Sequence, residues 1–199
     1  MPIHRRAFLA VALTATLAAC AGRPEPPPAA ARPSVEIRPS STPPAAAPSL
    51  STTDSAWIEI SIAMDEQLLP LLDLAASRAA RPALRELAAQ VRTRTQKELA
   101  ALRRLHDAAG LPAENPHKGM PMPGMVTPEQ VAEAAAATGA AFDTLVRTHL
   151  EAHLTQCVHL IGSLLKTGSA PQVVTVADTM KANAEYALEK MGTRHSGSP

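Results

Sequence analysis

Residues 149–160 read HLEAHLTQCVHL, placing His149, His153 and Cys157 four residues apart. On a helix that spacing stacks the three along one flank. Imidazole is a ligand for copper, and thiolate suits its reduced form. One helix rarely completes a coordination sphere, so further donors must come from facing elements. Glu98 and Met64 stand at inward positions of two other helical stretches. The alternative is plain: His153 is a neutral core histidine with one hydrogen-bond partner, Glu98 or Gln67, and Cys157 is a small buried hydrophobe.

A second donor set lies in a loop, LPAENPHKGMPMPGMV, which carries His117, Met120, Met122 and Met125. Spaced thioethers beside an imidazole suit reduced copper. Methionines in such a loop also serve as adaptable filler over helix ends.

The elements that must position these groups are helices. Aromatic residues make up only 2% of the 199, and alanine and leucine abound, a mixture that disfavours strands. From Asp54, the residues Trp57, Ser61, Met64, Leu68, Leu71 and Ala75 repeat at four-then-three spacing, the seam of a packed helix. Pro70 inside it lacks an N–H and predicts a kink. A second helix starts at Pro82 and stops at Gly110, with seam Leu84, Ala88, Val91, Thr95, Glu98, Leu102 and Leu105. Thr127-Pro128-Glu129-Gln130 has the form of a capping box and opens a short helix ending at Thr138-Gly139. A long helix over 140–167 carries the stripe Val146, Leu150, His153, Cys157, Ile161 and Leu164, with His149 and His159 at its margins. A last helix opens at Pro171, with seam Val173, Ala177, Met180, Ala184, Ala187 and Met191. The pattern predicts an all-α, up-down-up-down four-helix bundle over 54–193, made from a helix pair duplicated in tandem.

The termini speak to location. MPIHRRAFLAVALTATLAAC has a basic start, an apolar run from Ala7 to Ala19, and then Cys20. The run is too short to span a bilayer and suits an export signal over 1–19. Leu17-Ala18-Ala19-Cys20 resembles a bacterial lipobox, which implies cleavage before Cys20 and acylation of its thiol. Arg5-Arg6 also fits the core of a twin-arginine signal, so the export route stays open. Residues 20–53 follow as a tether: nine of the nineteen prolines fall there, with scarcely a large apolar group. Such a stretch cannot bury enough surface to offset its ordering entropy and would reach on the order of 100 Å if fully extended. Residues 194–199 read as a disordered tail.

Export removes Arg5 and Arg6 and no acid, turning a formal charge of +1 into −1. Neither value suggests a nucleic-acid partner. The expected partners are a membrane, through the lipid, and either a second copy of the chain or an envelope protein. With Cys20 acylated, Cys157 is the sole thiol, so no internal disulfide forms.

The stretch GMVTPEQVAEAAAATGAAFDTLVRTHLEAHLTQCVHL resembles the second half of the domain-of-unknown-function 305 family. Gly124, Met125, Thr127 and Glu129 match its first motif, and Gly139, Phe142 and Asp143 its second. The resemblance covers Trp57 to Met191. It implies an exported, ferritin-like fold, and in intact relatives paired histidines linked to metal, particularly copper. This chain departs from that pattern. His153 takes the first place of a histidine pair and Leu154 the second, while Gln67 and Leu68 stand where the other pair is expected. Glu98 matches one family glutamate, and Ala184 and Ala187 occupy the corresponding places of the last helix. The resemblance therefore implies a largely lost metal centre. Di-iron chemistry would need Glu-x-x-His pairs, which the long helices lack (Glu151-x-His153 is one residue short). The expectation is a non-enzymatic structural or interaction module, with copper handling as the alternative.

Overall fold

The computed structural model describes residues 50–167 and 169–192, all within one compact unit that begins at Pro43. The expected signal over 1–19, Cys20, most of the expected tether and the expected tail over 194–199 lie outside the described residues. Among the described residues there are five helices and no strand: α1 (Thr52–Arg78), α2 (Pro82–Ala108), α3 (Pro128–Ala136), α4 (Gly139–Thr167) and α5 (Pro171–Lys190).

Every predicted seam faces inward. Trp57, Ser61, Met64, Leu68, Leu71 and Ala75 are all buried, as are Val173 through Met191 at their seam positions. A buried leucine in such a layer contributes roughly 2 kcal/mol. Helix α1 begins two residues before Asp54, because Ser51 is the N-cap and Asp54 closes a capping box with it. Pro70 does not end α1, which continues to Arg78. Thr127 and Gln130 form the expected box at α3, with Thr127 N donating to Gln130 Oε1 at 2.9 Å.

Cross-helix contacts fix the directions. Glu66 meets Arg103 at 2.7 Å and Asp73 meets Arg92, so α1 and α2 are antiparallel. Asp65 lies by His153 and Asp143 by Ala80, making α1 and α4 antiparallel as well. Glu98 bonds Asn183 and Gln90 bonds Tyr186, which sets α5 against α2. The order is thus up, down, down, up, and the expected up-down-up-down alternation is corrected. The connection after α2 is long. Asn115 Nδ2 donates to Glu59 O at one end, and Arg78 donates to Ala135 O and Ala137 O at the other. Loop and α3 together climb the length of α1, so α4 must start where α2 started.

The two hairpins, α1–α2 and α4–α5, cap each other. Neither Arg81 nor Ala170, the N-caps of α2 and α5, offers a side-chain cap. Asp143 accepts from Ala80 N at 2.8 Å and Arg81 N at 3.0 Å, and Asp54 accepts from Ala170 N at 3.4 Å. Burial works against the charge of Asp54, but hydrogen bonds from Ser51, Ser169 and Ala170 outweigh it and hold its carboxyl below the ordinary value. Asp54 and Asp143 stand 89 residues apart and do the same work in each half, which sets the register of the duplication.

Candidate metal centre

Midway along the helices the apolar core is interrupted by one polar cluster. Asp65 comes from α1, Thr95 and Glu98 from α2, His153 and Cys157 from α4, and Asn183 from α5. They line a cavity of about 20 Å³, room for one water molecule or a bare ion. Asp65 and His153 are 1% and 2% exposed, whereas Cys157 is half-buried.

His153 Nε2 lies 3.4 Å from Cys157 Sγ and 3.7 Å from Asp65 Oδ1. The second figure is an ionic contact, too long for a hydrogen bond. Asp65 Oδ2 and His153 Nδ1 are buried without a partner. Glu98 accepts from Asn183 Nδ2 at 2.6 Å. Neither Glu98 nor Gln67 is the hydrogen-bond partner of His153 that the sequence suggested; Cys157 is, with Asp65, which the sequence did not single out, in ionic contact beside it. In the orientation that satisfies its amide, Gln67 donates to Val126 O at 2.9 Å and accepts from Gly119 N at 3.3 Å, pinning the methionine loop to α1.

These groups perturb one another. Burial, above all, lifts the Asp65 carboxyl above the ordinary range, with His153 drawing it partly back. Burial also raises Glu98, helped by the charge of Asp65, to about 7. For His153 burial opposes the charge, yet contacts from Cys157 and Asp65 outweigh it and lift the imidazole to about 10.

The other predicted donors sort into two groups. Met64, Met122 and Met125 pack in one cluster with Cys157, so the loop and the histidine helix share one neighbourhood. Met120 points away and is 46% exposed. His149 is half-buried with Nε2 unpartnered, and His117 is half-buried with Nδ1 unpartnered. Neither belongs to the cluster. Among the described residues, the group whose ligand atoms lie within 4.8 Å of one another is Asp65, His153 and Cys157. The expected trio of His149, His153 and Cys157 is corrected accordingly, with Asp65 in place of His149.

A family model described as "Domain of unknown function (DUF305)" matches residues 54–194. The chain belongs to the DUF305 family. Two solved structures share its fold. One is a DUF305 fragment from Deinococcus radiodurans, at 15% identity and TM-score 0.64, covering 73% of this chain and 96% of that one. The other, described as a secreted DUF305 protein from Streptomyces coelicolor, has 17% identity and TM-score 0.61, covering 70% and 89%. No curated protein matches the chain. No helix among the described residues is long and apolar enough to cross a membrane.

The 89-residue register corrects one more placement within this DUF305 chain. The first-half counterparts of His153 and Leu154 are Met64 and Asp65, three residues before Gln67 and Leu68. Counterparts of Thr95 and Glu98 are Ala184 and Ala187, as the sequence indicated. The copper site implied by the resemblance needs paired imidazoles, and the core here holds one, His153. The residues present do not fit that arrangement.

Proposed function

We propose that the chain is an exported helical module of the cell envelope, acylated at Cys20 and held off the membrane by residues 21–53. It acts there as a non-catalytic structural or interaction element on a four-helix, ferritin-like bundle with one long crossover. The observation that carries this reading is the content of the family's metal positions. Of the eight positions, four (Met64, Leu154, Ala184 and Ala187) hold buried apolar side chains, and among Asp65, Thr95, Glu98 and His153 at the others only one is an imidazole. The central cavity also supports it, since about 20 Å³ admits a water but no organic substrate. Cells fed a clickable fatty acid should yield labelled protein in the membrane fraction. Cys20→Ser should abolish the label and release the chain, and an unlabelled wild-type protein overturns the anchor. The full chain should turn over no substrate in esterase, phosphatase or oxidase panels; a robust activity lost on His153→Gln overturns the non-catalytic reading.

A second reading, envelope copper handling, is favoured by the packing of Met122 and Met125 on Met64 beside Cys157. It predicts stoichiometric uptake of reduced copper by the full chain, lost when Met120, Met122 and Met125 are replaced together. Absence of uptake ends it.

A further inference from the structure

The three donors at the centre have spacings that can be compared with a coordination polyhedron. A tetrahedral zinc ion with bonds of about 2.0 Å to imidazole nitrogen, about 2.1 Å to carboxylate oxygen and about 2.3 Å to thiolate separates N from S by roughly 3.5 Å and N from O by roughly 3.4 Å. The corresponding distances here are 3.4 Å and 3.7 Å, and all three ligand atoms fall within 4.8 Å. The two contacts made by His153 Nε2 thus lie within a few tenths of an ångström of the polyhedron's edges.

One buried atom gives a second, independent indication. Asp65 Oδ2 has no partner although the residue is 1% exposed and lines the cavity. An unpartnered carboxylate oxygen in the core is costly unless something positive sits beside it. We propose that Asp65, His153 and Cys157 form a zinc-type divalent metal site in the core, its fourth position left to a water in the cavity that Glu98 and Thr95 also line.

Charge separates this from a copper(I) site. Thiolate and carboxylate carry two negative charges, which a divalent ion cancels, so the buried centre is neutral. A monovalent ion on the same three ligands would leave one uncompensated negative charge in the core. Metal ligands bind in their deprotonated forms, so binding releases protons to solvent and affinity falls with acid. An entry path exists: Glu98, Arg94 and Asn183 line both the cavity and an outer groove between α2 and α5. The site does not depend on acylation of Cys20, and it replaces paired imidazoles by one imidazole, a carboxylate and a thiolate.

The test is cobalt and zinc titration of the purified, chelator-stripped full chain. One equivalent of cobalt(II) should bind, with visible bands of tetrahedral intensity and a near-ultraviolet thiolate-to-cobalt band. Cys157→Ser should abolish the near-ultraviolet band, and Asp65→Asn should keep it. Both should weaken zinc by at least ~100-fold, since even outer-shell changes cost 10–100-fold. Met122→Leu with Met125→Leu should bind zinc as the wild type does. The wild-type spectrum alone decides if a variant fails to fold. No uptake by the folded chain overturns the proposal, as does octahedral cobalt without a thiolate band.

Discussion

The raised carboxyl of Glu98 has a consequence for stability that can be worked out in sign and size. Its ordinary value is 4.5 and its folded value about 7, the rise coming first from burial and then from Asp65. Below pH 4.5 the group is protonated in both folded and unfolded chains and costs nothing. Between 4.5 and 7 the unfolded chain releases its proton first, so folding loses stability at up to about 1.4 kcal/mol per pH unit. Above 7 the loss levels off at a ceiling of about 3 kcal/mol. Glutamine cannot ionise and keeps an oxygen for Asn183. Glu98→Gln should therefore match the wild type at pH 4 to within a constant offset and gain about 1–3 kcal/mol on it by pH 8. Urea denaturation of metal-stripped protein from pH 4 to 9 measures this. Adding Asp65→Asn to both proteins should shrink the gain, because one of the causes of the raised value is removed. A difference that stays flat across the pH range would refute the reasoning.

Two further perturbations test the architecture. Gly124 has φ +75°, and a Cβ there would lie 2.4 Å from Gln156 Cβ and 2.8 Å from Ala152 O. Gly124→Ala should cost about 2–3 kcal/mol in denaturation experiments and raise hydrogen exchange at Met125 and Val126, since strain and overlap add. Asp143→Ala deprives Ala80 N and Arg81 N of their acceptor and should cost about 2–4 kcal/mol by the same measurement, whereas Asp143→Asn, which keeps one oxygen, should cost less.

Much of the scaffold was legible because it rests on periodicity. The seams of α1 and α5 follow from apolar spacing, and Pro82, Thr127 and Pro171 mark helix starts through local backbone chemistry. Chain direction was not legible. It depends on whether residues 109–138 turn back at once or climb the domain, and that is decided by tertiary contacts such as Arg78 with Ala135 and Asn115 with Glu59. Asp65 escaped notice for a related reason. It sits between seam residue Met64 and surface residue Glu66, and a carboxylate there looks like a solvated flank until α4 covers it. The signal that could have found it is the repeat between Asp54 and Asp143, which pairs Asp65 with an inward leucine, Leu154. Anchoring the repeat on Met64 and Ala75 instead displaced the comparison by three residues.

That same repeat shows how the fold tolerates a polar centre. The buried or half-buried polar residues Asp65, Thr95, Glu98, His153 and Cys157 have as counterparts Leu154, Ala184, Ala187, Met64 and Leu68, every one of them buried and apolar. At each of these five pairs one position is polar and the other apolar, so desolvation is borne once. The apolar members also specify what would replace the polar ones. Asp65→Leu with His153→Met puts the counterpart side chain at both positions. Removing one member of a buried pair typically costs 3–5 kcal/mol, because a charge is left without its partner. Replacing both by packed apolar groups is often neutral or stabilising by about 1–4 kcal/mol. Asp65→Leu and His153→Met should each destabilise the metal-stripped chain, and the double variant should be at least as stable as the wild type. Urea midpoints of the four proteins at pH 7 complete the cycle. A double variant that loses as much as the two single losses combined would mean that Asp65 and His153 act separately, and that the polar members are held in place by something other than their mutual contact.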